Sequence, residues 1–343
     1  MSVLRRGSAV ALLALLASAC SEESITDVSR EKDLSNLAPS FLVAGASVNV
    51  RFEILEAPPW YVVGKIHLQD DWSSAGPYDH FVVPNTYGYA SFGGQSLRIS
   101  NAITSGSFGD HTFSKRTTNY GGETESACGG WCLPGGTRQS HFEAEWDFAS
   151  TTPGAAQPGL SVVASPDRGD GARMSWVQMT EGAAGLDINF FDVQGVTRPS
   201  PAVCGEANFV ESDVATGLSR AVPHTIKITM DLLEGPSNDV VKVYVDGALE
   251  HTGTSWEDYF RYDCEAVAHL GKPPIVNRIL YRTGGAAAPL TAGKGFVIDN
   301  LSLGTLAVSK DACKNGGWQS LVRADGSSFK NQGDCIQYTN KGT

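Results

Sequence analysis

Nowhere in this chain does an apolar pattern of 3.6-residue period hold for a dozen residues, whereas two-residue alternation returns repeatedly. In HFEAEWDFAS, Phe142, Ala144, Trp146 and Phe148 fall on one face, and Glu143, Glu145 and Asp147 on the other. SLRISNA alternates Leu97 and Ile99 with Arg98 and Ser100, and HTIKITMDL turns Ile226, Ile228 and Met230 inward. ARMSWVQM, LDINFFDV and FVIDNLSL read as further strands. In VVKVYVDGALEHTG, Val241, Val243 and Val245 lead into Asp246-Gly247, a pair that accepts the positive φ of a tight hairpin turn. The 38 Gly and 16 Pro supply such turns in number. Each short strand must bury one face, so the chain is expected to be all-β, with two antiparallel sheets packed as a sandwich.

The N-terminus follows a different rule. Arg5 and Arg6 precede an apolar run from Ala9 to Ala19, too short to span a bilayer and of signal-segment length. The run ends in LASAC, small residues before Cys20. This resembles a bacterial lipobox, with Ala17 standing where Leu is commoner. The resemblance implies cleavage before Cys20 and lipidation of its thiol. Ser21 follows rather than Asp, which by the same resemblance implies no retention at the inner membrane. The competing reading is an ordinary signal-peptidase site at the same place. The expected organisation is a signal peptide over 1–19, a flexible polar tether over 20–45, a sandwich domain over 46–306 and a cysteine-bracketed segment over 307–343. The expected location is exported and lipid-anchored at the outer membrane, with the lipid as the only membrane contact.

Without Cys20, six cysteines remain: Cys128, Cys132, Cys204, Cys264, Cys313 and Cys335. An even number in an exported chain reads as disulfides. Pairing by proximity gives Cys128–Cys132, Cys313–Cys335 and, for the remainder, Cys204–Cys264. Zinc is disfavoured, because no cysteine pair has a His pair at ligand spacing. The segment closed by Cys313 and Cys335 is polar and Gly-rich, and so small that a disulfide would matter greatly to it. It is expected to be a stapled C-terminal appendage.

The strings WYVVGKIHLQDDW, VKVYVDGALEHTG and FVIDNLSL resemble the concanavalin A-like jelly roll of lectins, glucanases and laminin-G domains, over about residues 48–306. The resemblance implies a sandwich with one concave sheet, and carbohydrate as the ligand of that face or of the rim loops. Fold alone does not fix function.

Two sets of residues could carry such a function. Glu143, Glu145 and Asp147 share one strand face at intervals of about 6.6 Å. Retaining glucanases of this fold use a row of acids, with the reacting carboxyls about 5–5.5 Å apart. The family order is long, short, long; here Glu145 is long and Asp147 short. That mismatch favours a hydrated polar strand face over a hydrolase. The second set is aromatic. Tyr244 stands on the polar face of its strand, and Trp256, Tyr259 and Tyr262 cluster with Asp258 in TSWEDYFRYD, read as a loop. Exposed rings suit the apolar faces of sugars; rings that only cap the sandwich are the alternative. Asp167 and Asp170, in Asp-Arg-Gly-Asp-Gly, belong to a hairpin turn. Their carboxylates are ligands of the kind calcium takes but too few to predict a site. No metal or other cofactor is expected.

The formal net charge of -11 disfavours nucleic acid as a partner. The leading expectation is a lipid-anchored envelope protein with a lectin-like or adhesive module for a polysaccharide or glycan. The alternatives are a glycoside hydrolase acting on β-glucan through Glu143 and a partner acid, and a purely structural envelope protein.

Overall fold

The structure is a computed structural model that describes residues 42–43, 47–54, 61–123, 128–172, 174–194, 208–262, 272–283, 286–308, 313–320 and 328–341. All of them belong to the compact unit Pro39–Thr343. The expected signal segment, Cys20, Cys204 and Cys264 lie outside the described residues. So does the expected tether, except for Leu42–Val43, which pairs with Val308 and Ala307.

Strands are numbered along the chain. The larger sheet has ten. In space it runs β17 (Ala248–Gly253), β16 (Val240–Val245), β15 (His224–Asp231), β10 (His141–Ser150), β20 (Phe296–Val308), β6 (Gln95–Ser100), β5 (Asp79–Pro84) and β3 (Gly64–Lys65). β1 (Leu42–Val43) and β2 (Ser47–Val50) also pair with β20. The second sheet has seven strands: β14 (Asn208–Leu218), β13 (Leu186–Gln194), β12 (Val177–Glu181), β11 (Ser161–Asp167), β19 (Arg278–Arg282), β7 (His111–Phe113) and β4 (Ser73–Ala75). Both large sheets are antiparallel and form the expected sandwich. A third, small sheet joins β18 (Ile275–Val276), β8 (Tyr120–Gly122) and β9 (Arg138–Gln139).

Alternation explains the packing. Phe142, Ala144, Trp146 and Phe148 of β10 are fully buried, facing Ile188, Phe190, Ile279 and Tyr281 of the other sheet in one core. Trp72 stacks on Tyr281 at 6.3 Å, and Trp146 meets the same ring edge-on at 6.2 Å. Side chains of this size each stabilise the fold by about 1.5–3 kcal/mol when buried. The hairpin turn forms where expected. Val245 pairs with Ala248, and Asp246 and Gly247 both take positive φ, 51° and 86°.

The turn after β11 also follows the reading. Asp167 Oδ1 accepts the N–H groups of Asp170 and Gly171, each at 3.2 Å, and that of Gly169. Arg168 binds both oxygens of Asp170, at 2.8 and 2.9 Å. Disulfides join Cys128 to Cys132 and Cys313 to Cys335. The latter closes a small core of its own, with Phe329 and the partly buried Trp318 and Ile336. A helix that alternation gave no hint of, α2 (Gln332–Lys341), carries Cys335. Among the described residues, no helix is long and apolar enough to cross a membrane.

Candidate functional site

The acid row of β10 lies on the outer face of the ten-stranded sheet, opposite the buried rings. Its neighbours hold it there. Glu143 pairs with Lys227 of β15 at 2.7 Å. Asp147 accepts from Thr225 Oγ1 at 2.5 Å and from Asn300 Nδ2 at 2.8 Å. Asn300 takes a positive φ of 50° where the β10–β20 register slips by one residue, and the slip turns its amide toward Asp147. Glu145 is half-buried, with Lys227 as its cross-strand partner. Tyr244 of β16 stands on the same face, also opposite Lys227. Burial raises its pKa, and the charges of Asp231 and Glu143 add to the rise. This face is therefore a lattice of cross-strand pairs, with Glu143 and Asp147 engaged by side chains of flanking strands.

A cavity lies elsewhere, where β13, the β16 and β17 ends and a short helix meet. It has a volume of about 480 Å³, and its lining includes Asp192, Val193, Asn238, Thr252, Glu257 and Asp258. The helix is α1 (Glu257–Tyr262), in the segment expected to be a loop. Gly253 is required at the wall, since a Cβ there would collide with Asp192 Oδ1. Asp192 also accepts from Thr254 N at 2.8 Å. Ser237 donates to Asp258 Oδ2. Two buried acceptors of lining residues, Asn238 Oδ1 and Asp258 Oδ1, have no hydrogen-bond partner.

Under this cavity sit three buried acids. Glu123, Asp239 and Glu257 are 1%, 3% and 2% exposed. Asp239 accepts from Ser255 Oγ at 2.6 Å and from Leu233 N at 2.8 Å. Arg261 donates to Glu257 at 3.0 Å and also pairs with Glu123. Burial pushes the Asp239 pKa up to about 7, with the Glu123 charge adding to it. Burial likewise raises Glu257, helped by the charge of Asp239. One oxygen from each acid lies within 4.8 Å of the others, a spread that a divalent cation could bridge. Arg261 already supplies positive charge at that point.

The residues expected to bind sugar are dispersed. Asp258 lines the cavity. Trp256 is only 5% exposed; it stacks on Trp176 at 5.5 Å and donates Nε1–H to Phe191 O at 2.7 Å. Its ring is thus packed inside, as in the capping alternative. Tyr259 and Tyr262 are half-buried on α1, and Tyr244 is on the other face. The exposed ring beside α1 is one that the sequence did not single out. Phe209 is 42% exposed, touches Trp256 and Tyr259 at 4.8 and 5.4 Å, and is the cross-strand partner of Val193 in the cavity wall.

No protein-family model matches the chain. One curated relative, the 3-demethoxyubiquinol 3-hydroxylase of Marinomonas sp. (strain MWYL1), is 33% identical over 120 residues, 34% of this chain and 55% of the relative. The chain thus spans about half the length of the curated relative it matches. Among solved structures it is similar to an alginate lyase (10% identity, 78% of this chain and 100% of that one, TM-score 0.41). It is also similar to an endo-β-1,4-glucuronan lyase from the fungus Trichoderma reesei (13% identity, 77% and 96%, TM-score 0.36). A sialidase shares 11% identity over 79% of this chain and 19% of that one, with a TM-score of 0.40. These neighbours are carbohydrate-active proteins, and at such scores no ligand transfers from them to this chain.

Proposed function

We propose that the protein is a glycan-binding β-sandwich and that the cavity beside α1 is its sugar site. The observation that carries this reading is the pair of partnerless acceptors, Asn238 Oδ1 and Asp258 Oδ1, on residues lining a cavity of about 480 Å³. A buried acceptor without a donor is costly, and a ligand rich in hydroxyl groups supplies donors. The volume falls in the range of small-molecule sites, roughly 300–1,000 Å³. The exposed Phe209 ring next to the wall offers the apolar surface that a sugar face needs. The lipobox resemblance around Cys20 adds an anchor, so the module is proposed to work as a lipoprotein of the outer membrane. Partitioning into detergent that is lost in Cys20→Ser checks the anchor.

The sugar site is tested on a glycan array with the full chain and an Asp258→Ala variant. Retention of at least one neutral glycan, weakened about tenfold or more by the substitution, is the expected result. No retention on any glycan would leave the purely structural reading. The hydrolase reading finds less support. Glu143 is tied to Lys227, and Asp147 to Thr225 and Asn300. No release of reducing sugar from β-1,3 or mixed-linkage glucan is therefore expected.

A further inference from the structure

β19 places Ile279 and Tyr281 in the core. Arg278, Leu280 and Arg282 therefore point to the outer face of the seven-stranded sheet. That face is sheltered rather than open: Leu280 is 0%, Phe113 7% and Arg278 itself 7% exposed. The Arg278 side chain makes no hydrogen bond and no ion pair with any described residue, and its Nε is buried without a partner. Its guanidinium lies over the Phe113 ring at 5.7 Å. Close to it is Gly169, where a Cβ would stand 3.3 Å from Cζ and 3.4 Å from Nε. A glycine there, at φ 103°, lets the turn pass close to the guanidinium with no side chain between them.

Each described carboxylate near it has partners of its own, none of them Arg278; the charges of Asp71 and Asp167 reach Arg278 only at a distance, and Asp167 Oδ2 is itself buried without a hydrogen-bond partner. Asp167, the cross-strand partner of Arg278, binds the turn N–H groups of Gly169, Asp170 and Gly171. Asp71 pairs with Arg116 at 3.1 Å. Asp170 is held by Arg168 at 2.8 Å and approached by Lys272 at 3.5 Å. Burial lowers the Arg278 pKa, but a guanidinium does not lose its proton in a protein. The result is a sheltered cation that makes no salt bridge with a described residue and is offset only at a distance by Asp71 and Asp167. A guanidinium so placed keeps N–H donors free for an oxyanion.

We propose that Arg278 is the anchor of a second binding site, distinct from the cavity beside α1, which takes the carboxylate or sulfate ester of an acidic sugar. The planar fork of a guanidinium matches either oxyanion through two parallel hydrogen bonds. The acidic surface does not forbid such a ligand, because at physiological salt its field is screened beyond about 8 Å. A short oligosaccharide fits this balance better than a long polyanion, which would meet the whole surface.

The test is calorimetric titration of the full chain at physiological salt with three probes: trigalacturonate for carboxylate, galactose 6-sulfate for sulfate, and cellotriose as the neutral control. At least one acidic probe is expected to bind, and Arg278→Met should weaken it by about 10-fold to 100-fold. Which acidic probe binds identifies the oxyanion. Arg278→Met should also melt at the same temperature or a few degrees higher, since it removes a buried charge that makes no hydrogen bond. An arginine with only a structural role would give a lower melting temperature and unchanged binding. Equal binding by the variant overturns the proposal, and so does absence of both acidic probes from the wild-type protein. If the variant cannot be purified, the wild-type thermal shift decides: an acidic probe must raise the melting temperature more than cellotriose does. Asp258→Ala should leave acidic binding intact, so failure of the neutral-sugar reading and failure of this one are separate results.

Discussion

Beneath the cavity, Arg261 serves two of three buried carboxylates, whereas on the outer face of the seven-stranded sheet Arg278 serves none. The difference lies in what each excess charge can do. Surplus carboxylates can take up protons, and Asp239 and Glu257 have pKa values raised far enough to do so near neutrality. A surplus guanidinium has no such exit. The acidic cluster can therefore discharge itself, while the guanidinium keeps its charge and its free donors.

The comparison breaks most visibly at Arg261. Arg261→Met leaves Glu123, Asp239 and Glu257 without their cation, and should cost about 3–5 kcal/mol in urea unfolding at neutral pH. The deficit should shrink in mild acid, where the carboxyls protonate. A loss that is independent of pH would mean that Arg261 acts only by packing. The second effect is the pH dependence of the intact protein. Asp239 has a pKa near 7 in the fold against 3.8 for the free side chain, so the folded state holds the proton more tightly. Its contribution is full below about pH 4 and is lost as the pH rises through 7, with an upper bound of roughly 4 kcal/mol. Asp239→Asn should flatten the stability profile across that window; an unchanged slope would place the titration elsewhere. The smallest effect sharpens the contrast with a well-served surface pair. Glu143 and Lys227 are partly exposed, and Glu143→Gln should change stability by less than about 1 kcal/mol. A larger loss would mark the β10 face as more than a polar lattice.

The sequence shows the sandwich more clearly than the sites, for a physical reason. Strand alternation and turn chemistry are local, so β10, the Asp246-Gly247 hairpin and the Asp167–Gly171 turn can be read from adjacent residues. The Cys313–Cys335 staple needs only proximity. The acidic cluster draws on positions 123, 239, 257 and 261, brought together by sheet topology that no short window contains. Trp256 looked like a surface ring because its neighbours are polar, yet Trp176 and Phe209, far away in sequence, enclose it. The RILYR alternation of β19 puts Arg278 outside, but no pattern records that no described acid near it makes a salt bridge with it.

β20 carries a consequence of a different kind. It is the last strand of the sandwich to be synthesised, yet it lies in the middle of the larger sheet, with β10 on one flank and β6 on the other, and β1 and β2 pairing with it too. Until residue 308 has left the ribosome, the other strands of the larger sheet stand as β17–β16–β15–β10, β6–β5–β3 and the lone β1 and β2, with open edges. Such edges are what chaperones and proteases meet first. The sandwich thus closes only after nearly the whole chain has been made, and a product stopped short of β20 exposes its own incompleteness to quality control.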